Sequence, residues 1–148
     1  QRMAKEHPET SPWKVKHRRG GMVDIEFIAQ YLQLLHAPKN PGVLAANTTD
    51  AIGRLSDAGA LDRADADGLI EAMRLWRRLQ GFLRVTTGGD FDPATASEGV
   101  RRALVKAGGA ADLDALATKV EATAAWVSGL YRRIVDEPAD ALKKRESA

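Results

Sequence analysis

A run of basic residues stands directly before two glycines and an apolar segment near the start of the chain. Residues 14 to 34 read KVKHRRGGMVDIEFIAQYLQL. Glycines allow a tight turn, and backbone N–H groups at a helix start favour an anion. Lysine and arginine add donors suited to phosphate. The segment therefore predicts an anion site at a turn of Gly20 and Gly21 whose N–H groups point outward. The basic or titratable residues that lead into this turn are Lys14, Lys16, His17, Arg18 and Arg19.

Acidic residues follow the two glycines at once. At 100° per residue, Glu26, Gln30 and Gln33 share a polar stripe, whereas Asp24 falls on the apolar side of the same helix. A carboxylate on that side needs a partner. Asp24 either caps backbone donors or pairs with Arg18 or Arg19, or else it has a role in an active site. The residues alone leave these alternatives open.

Apolar residues at helical spacing recur along most of the chain, and alternating strand patterns are nearly absent. The first helix is apolar over most of its circumference, which predicts a central position. Thr48, Thr49 and Asp50 offer caps for the second helix, and Asp112 caps the last. The predicted helices span about 21–37, 49–58, 62–85, 97–107 and 112–137. We expect an all-α fold, a helical bundle of about five helices with flexible N- and C-terminal tails.

The pattern divides the chain into three parts. Residues 1–20 are predicted to form an extended lead-in that ends in the basic junction, 21–137 a helical bundle domain, and 138–148 a charged, frayed tail. The length of 148 residues suits one domain. The chain opens on Gln1 rather than methionine, so we expect it to be part of a longer protein.

Composition argues against several kinds of site. The chain has no cysteine and only three scattered histidines, which excludes disulfides and thiolate zinc sites and argues against a structural metal. Its net charge of +2 is too small for general coating of nucleic acid. No apolar run reaches the roughly 18 to 20 residues of a membrane span. We expect a cytoplasmic protein that binds neither membrane nor nucleic acid.

Two acidic clusters could bind metal ions. DRADADG, from Asp62, resembles a calcium loop, but alignment places Arg63 at the first ligand position and Arg74 where a bidentate glutamate belongs. An acidic first turn of a helix explains this cluster better. In GGDFDP, Asp90 and Asp92 have the spacing of a magnesium pair, yet Pro93 favours a loop over a rigid strand. We therefore predict neither a metal site nor catalytic residues in this chain.

Two other residue sets have simpler explanations. A stripe of arginines on the third predicted helix is either a solvated face or a footprint for an acidic partner, and the first is commoner. These are Arg74, Arg77, Arg78 and Arg84. The tryptophans stand on separate elements and are predicted to be core residues rather than stacking platforms. These are Trp13, Trp76 and Trp126.

The stretch KHRRGGMVDIEFIAQYLQLL resembles a segment that follows the nucleotidyltransferase domain in the bacterial glutamine synthetase adenylyltransferases. In that family a lysine, three residues, Gly-Gly, an apolar residue, one more residue and then Asp-Ile-Glu-Phe recur, with a glutamine shortly after. The matching residues are Lys16, Gly20, Gly21, Met22, Asp24, Ile25, Glu26, Phe27 and Gln30. The rest of the chain, including LWRRLQGFLRV, is compatible with the family's helical domain but less diagnostic.

The resemblance implies part of a large two-headed enzyme. One half attaches AMP from ATP to a tyrosine of glutamine synthetase, and the other removes it by phosphorolysis under control of the PII signalling protein. Because no second catalytic domain follows, the C-terminal, adenylylating half is expected. The implied partners are the upstream nucleotidyltransferase domain, glutamine synthetase and PII, and the parent enzyme uses ATP and Mg²⁺. The Gly-Ser turn and paired aspartates of the catalytic domain are missing here, so this fragment is expected to bind no cofactor and to be inactive alone.

The resemblance also assigns roles within the junction. Lys16 and Arg19 would neutralise phosphate or pyrophosphate, the glycines would let the backbone approach, and Asp24 and Glu26 would position those cations or a neighbouring domain; Gln30 completes the motif. An alternative is an independent helical adaptor that binds an acidic protein or nucleic acid through residues 14–19 and the helix arginines. A hydrolase is disfavoured because no set of acid, base and nucleophile is visible.

Overall fold

The structure, a computed structural model, describes residues 12–88 and 91–147. Every regular element within these ranges is helical, which confirms the predicted all-α bundle, and α1 to α5 correspond to the five predicted helices. In chain order the elements are α1 (Met22–His36), a 3₁₀ turn (Pro41–Val43), α2 (Thr48–Asp57), α3 (Arg63–Thr87), α4 (Glu98–Ala107), α5 (Leu113–Tyr131), a π-helical turn (Arg132–Asp136) and α6 (Glu137–Ser147).

Side-chain caps fix the starts of three helices. Asp112, the predicted cap of α5, and Ser97 before α4 each accept a hydrogen bond from the backbone N–H three residues ahead, at 2.7 and 3.1 Å. The predicted cap of α2 is wrong, because Asn47 accepts the N–H of Asp50 at 2.8 Å. Asn47 has the extended backbone that a cap needs, while Thr48 is already helical.

Helix α1 is central to the bundle and packs against α2, α3 and α5. Its inner side chains Ile25, Ile28 and Leu32 are buried. Its apolar character extends beyond the buried side, however, because Phe27 is 44% exposed and Leu34 is 77% exposed. The described part of the chain therefore covers only one side of the predicted central helix.

Two of the three tryptophans are core residues as predicted. Trp76 is fully buried, and Trp13 is buried with its ring edge against Phe91, at a centroid distance of 5.5 Å. The prediction is wrong for Trp126, which is 39% exposed. Its ring lies over Gly68, where a Cβ would come within 2.4 Å of the indole. Trp126 forms one wall of a surface pocket of about 300 Å³ between α3 and α5.

The described part of the predicted lead-in, residues 12–20, belongs to the bundle. It forms consecutive turns, and its side chains Trp13 and Val15 join the core. An extended, flexible lead-in does not fit these residues, because burial of the two apolar side chains holds them against α3 and α1. Residues 1–11 of that prediction lie outside the described residues.

The C-terminal part of the chain changes helix type before α6. In the π-helical turn the N–H of Glu137 bonds to the carbonyl of Arg132, five residues back. The extra residue shifts the apolar stripe by one position, so Val135 is more buried than the predicted Ile134.

The predicted charged tail is helical from Glu137 to Ser147 rather than frayed. Pro138 directly follows the π-helical turn, so its missing N–H falls where the hydrogen bonding returns from five-residue to four-residue spacing. The side chains of α6 are exposed, and α6 contacts no described element except the π-helical turn. No helix in the described ranges combines the length and apolar character needed to cross a bilayer.

Candidate functional site

The candidate site is the junction, residues 14–21, which leads into α1. Backbone hydrogen bonds fold it onto the first turn of the helix. The N–H groups of Gly21, Met22 and Val23 donate to the carbonyls of Arg18, Val15 and Lys16 at 2.9, 2.8 and 3.0 Å. The junction is therefore a defined turn whose geometry is fixed by its own backbone.

Gly20 occupies the most restricted position of the junction. Its φ of +77° lies in the left-handed region that favours glycine. A Cβ on Gly20 would come within 2.0 Å of the carbonyl oxygen of Ala124 on α5. The Gly20 carbonyl accepts a hydrogen bond from Nε1 of the buried Trp76 at 3.0 Å. Gly20 thus lets the junction pack directly against α5 and bond to α3.

Gly21 is required for a different close approach. A Cβ there would lie 2.1 Å from the carbonyl oxygen of Val15, inside the junction itself. Both glycines are buried. Their role is close packing within the chain, whereas the sequence pattern predicted an opening for a ligand.

The carboxylate of Asp24 completes the turn from inside. Asp24 is 9% exposed, and its Oδ2 accepts the backbone N–H of Gly20 at 2.7 Å. Of the alternatives that the sequence left open, the capping of a backbone donor is confirmed. A charge-assisted hydrogen bond of this length is among the stronger kinds.

These contacts overturn the predicted backbone anion site. The N–H groups of residues 20 to 23 all donate to protein oxygens, so none of the four points outward toward a ligand. The N-terminus of α1 closes on its own chain because the junction turns back over it. An anion at this surface can meet side chains, and not these amide groups.

Arg18 anchors the junction to α5. Its guanidinium donates to both carboxylate oxygens of Glu121, at 2.9 and 3.0 Å, and to the carbonyl of Pro12 at 3.1 Å. The hydrogen bond from Arg18 holds the pKa of Glu121 below its usual value, against the opposing effect of partial burial. The Arg18 side chain is 17% exposed and that of Glu121 57% exposed.

No local pattern in the sequence indicates the pairing of Arg18 with Glu121. The two residues are 103 positions apart, and neither the heptad-like stripe of α5 nor the basic run points to the other. The pair could be found only after the chain is folded.

The remaining predicted residues lie on the surface. Lys16 and Arg19 are exposed and make no side-chain hydrogen bond or ion pair with the described residues. Glu26 is half-buried and Gln30 exposed, both on α1. The predicted site thus divides into a buried framework of Gly20, Gly21 and Asp24, and a surface set of Lys16, Arg19, Glu26 and Gln30.

The fold adds one cation to this surface that the sequence assigned elsewhere. Arg84 of α3 lines a shallow pocket of about 190 Å³ beside the junction, together with Lys16 and His17. The floor of the pocket is apolar and no carboxylate lines it; its other residues are Trp13, Lys14, Val15, Gln80 and Leu83. Arg84 was predicted only as part of the arginine stripe, because the approach of α3 to the junction is a tertiary contact.

The other arginines of α3 behave as a solvated face. Arg74 and Arg77 are exposed. Arg78 is exposed too, and its Nε donates to the carbonyl of Ala107 at the end of α4, at 3.0 Å. This bond satisfies a carbonyl that the helix end leaves unpaired. The solvated-face interpretation therefore fits these three residues.

The acidic clusters have structural partners. Asp65 pairs with Arg133 at 3.6 Å, and Asp92 accepts the N–H of Ala94 at 3.0 Å in a turn. Asp90 lies outside the described residues. Across the two described ranges, no group of three or more histidine, aspartate or glutamate residues could hold a metal ion.

Comparison with known proteins places this architecture in a family. A family model described as GlnD PII-uridylyltransferase matches residues 1–135. A bifunctional glutamine synthetase adenylyltransferase/adenylyl-removing enzyme of Rhodopseudomonas palustris strain HaA2 is 42% identical over 133 residues, which is 90% of this chain and 14% of the relative. Enzymes with the same name from Bradyrhizobium diazoefficiens and Xanthobacter autotrophicus are 36% and 35% identical, over 90% and 95% of this chain.

These matches extend well beyond the motif at the junction. They confirm the resemblance to the glutamine synthetase adenylyltransferases that was recognised there. The chain spans about one seventh of the length of these relatives, at 14% in each case. With a family model covering residues 1–135, this chain belongs to the GlnD PII-uridylyltransferase family.

Proposed function

We propose that this chain is the helical domain of a glutamine synthetase adenylyltransferase, working beside a nucleotidyltransferase domain of the same polypeptide. The observation that carries the proposal is the sequence identity of 42%, over 90% of the chain, to an enzyme of that name. In this proposal the parent enzyme moves AMP from ATP to glutamine synthetase with Mg²⁺, in the cytoplasm, under control of PII. The chemistry belongs to the catalytic domain.

The contribution of this domain follows from which groups the junction leaves available. The amides of residues 20 to 23 already donate to protein oxygens, so a phosphate here would meet side-chain cations, with Lys16 and Arg19 on the junction and Arg84 beside Lys16. Their positive charge would stabilise the triphosphate of ATP and the negative charge that develops on the leaving pyrophosphate. Such an effect requires that the charges be held in place before the reaction begins.

The buried framework holds in place the backbone to which the charged side chains of Lys16 and Arg19 are attached. The carboxylate of Asp24 accepts the Gly20 N–H, and Nε1 of Trp76 donates to the Gly20 carbonyl. Arg18 ties the junction to α5. Lys16 and Arg19 are attached to this fixed backbone while their own side chains remain exposed. The buried framework thus holds the backbone of the junction, and the side chains of Lys16 and Arg19 remain available to bind a phosphate.

The test is AMP transfer by the full polypeptide that contains this chain. Purified polypeptide is incubated with glutamine synthetase, Mg²⁺ and ATP labelled at the α-phosphate, and the label on glutamine synthetase is counted. Transfer of label supports the proposal. No transfer by a folded polypeptide, combined with binding to polyanions that weakens steeply with salt, would favour the independent adaptor instead.

A further inference from the structure

The outer side of α1 carries an apolar stripe that no described element covers. Val23, Phe27 and Leu34 are exposed, and with Gln30 they follow spacings of four, three and four residues along the helix. This spacing places all four side chains on one face. Leu35 is exposed beside them. We call Val23, Phe27, Gln30, Leu34 and Leu35 the outer face of α1.

The outer face is unusual for a helix at the surface of an isolated domain. The exposed face of such a helix normally carries polar and charged residues. Of the eight large hydrophobic side chains that are exposed among the described residues, four belong to this one face. Single exposed apolar residues need no explanation, but a contiguous group of them marks an interaction surface.

Part of this face is held in a fixed conformation. The ring of Phe27 lies against that of Tyr131 at the end of α5, with centroids 5.8 Å apart and planes tilted by 35°. The inner side of the same helix is packed into the core through Ile25 and Ile28. A rigid aromatic group on a rigid helix binds a partner with little loss of conformational entropy.

The surroundings of the face indicate what kind of surface packs on it. Glu26 and Gln33 give the stripe a polar border on one side, and none of the five residues of the outer face is charged. Nucleic acid is therefore disfavoured as its partner, because nucleic-acid binding rests on phosphate contacts by basic residues. An apolar centre with polar margins is typical of contacts between domains of one polypeptide.

The length of the relatives indicates where the partner lies. This chain spans 14% of each relative described above, so most of such a polypeptide is available to cover the face. The face begins at Val23, two residues after the junction that carries Lys16 and Arg19. A domain that brings a bound nucleotide to those cations is therefore brought next to α1 as well.

We propose that the outer face of α1 is the docking surface for the nucleotidyltransferase domain of the same polypeptide. This inference rests on the proposed function for the identity of the partner. Packing of that domain on Val23, Phe27 and Leu34 would bury the exposed apolar groups. The same contact would fix the distance between the catalytic domain and the junction.

The test measures whether the face is covered in the full polypeptide. Leu34→Cys and the control Val85→Cys introduce a thiol at side chains that are 77% and 86% exposed in this structure, in a stretch of chain that has no cysteine of its own. Each variant is treated with a maleimide, and modification of the peptide containing the introduced thiol is followed by mass spectrometry. Gln30→Cys, in the middle of the face, is a second probe should Leu34→Cys fail to fold.

The expected result is modification of Leu34→Cys at least about tenfold more slowly than that of Val85→Cys, because a buried thiol reacts only when the contact opens. The slow rate should not change on dilution. A thiol-to-amine cross-linker attached at position 34 should join a peptide of the catalytic domain.

Equal rates at the two positions would overturn the proposal. Protection that is lost on dilution, with cross-links to a second copy of the same face, would assign the face to a dimer instead. Cross-links to any other domain would also overturn it. AMP transfer measured on the same samples separates the two ideas: protection without transfer refutes the proposed function alone, and transfer without protection refutes the docking surface alone.

Discussion

Gly20→Ala tests the packing of the junction, and Gly59→Ala supplies a matched control. Both glycines have positive φ, +77° and +79°. The left-handed conformation costs an alanine about 1–2 kcal/mol at either position. The surroundings differ, because a Cβ at Gly59 meets nothing within 4 Å, whereas a Cβ at Gly20 would lie 2.0 Å from the carbonyl oxygen of Ala124.

The additional cost at Gly20 comes from the movement that this overlap forces. Separating the junction from α5 costs about 1–3 kcal/mol as overpacking. If the hydrogen bond from Trp76 to the Gly20 carbonyl is lost, the buried groups left unpaired cost about 1–3 kcal/mol more. With all three contributions we expect Gly20→Ala to lower the unfolding free energy by about 3–8 kcal/mol, and Gly59→Ala by about 1–2 kcal/mol.

Urea unfolding followed by circular dichroism measures both variants against wild type. A difference between the two of at least about 2 kcal/mol is predicted. Failure of Gly20→Ala to fold under conditions in which Gly59→Ala folds is the same result in its extreme form. Equal losses for the two variants would refute the reasoning, because they would show that α5 does not press on Gly20.

Three other contacts give predictions for the same unfolding assay. Trp76→Phe should cost about 1–3 kcal/mol by leaving the buried Gly20 carbonyl unpaired, whereas Trp126→Phe, at a half-exposed ring, should cost less than about 1 kcal/mol. Asp24→Ala should cost about 1–3 kcal/mol by removing the acceptor of the Gly20 N–H. Glu26→Ala should stay within about 0.5 kcal/mol, because the Glu26 side chain makes no hydrogen bond or ion pair with the described residues. Glu121→Gln should cost less than about 1 kcal/mol at pH 7, because the Glu121 side chain is 57% exposed and solvent screens its pair with Arg18. Since Arg18 lowers the pKa of Glu121 in the folded chain, that cost should be fully present above the unfolded pKa of about 4.3 and should vanish as the pH falls through the lower folded value. A cost that is unchanged down to pH 2 would contradict the pairing.

Local patterns predicted the helices well because each helix carries its own signal. The apolar period, the cap at Asp112 and the prolines after α1 act over a few residues and are visible in sequence. The exceptions are also local. Asn47 was passed over as the cap of α2, and residues 138–148 were predicted to be a frayed tail although the helix continues to Ser147.

The candidate site was harder to predict because it depends on contacts between distant segments. The residue types at the junction suggested an anion site, and the sequence could not show that Val15 and Lys16 supply the acceptors for the helix amides. The same holds for Gly20, whose neighbour is the backbone of Ala124 on α5. A Gly-Gly pair before a helix has the same sequence whether it opens toward a ligand or closes against a neighbouring helix.

Which side of an apolar helix is buried also depends on tertiary contacts. The stripe of α1 is broad enough to be buried on two sides, and the described residues bury only one of them. Sequence periodicity shows how much apolar surface a helix has. It does not show what covers the part of that surface that the helix's own domain leaves exposed. Phe27 and Leu34 are therefore informative because they depart from the predicted burial.

In the proposed function, Lys16 acts on the nucleotide, and the buried framework only holds the backbone that carries Lys16 in place. The most direct test compares AMP transfer to glutamine synthetase by the full polypeptide carrying Lys16→Ala or Lys39→Ala, two exposed lysines at opposite ends of α1. We expect Lys16→Ala to lower kcat/KM at least about tenfold, and Lys39→Ala to leave it unchanged. Circular dichroism and the unfolding free energy of Lys16→Ala should be as in wild type. Equal activity of the two folded variants would contradict the claim and leave the junction as scaffold.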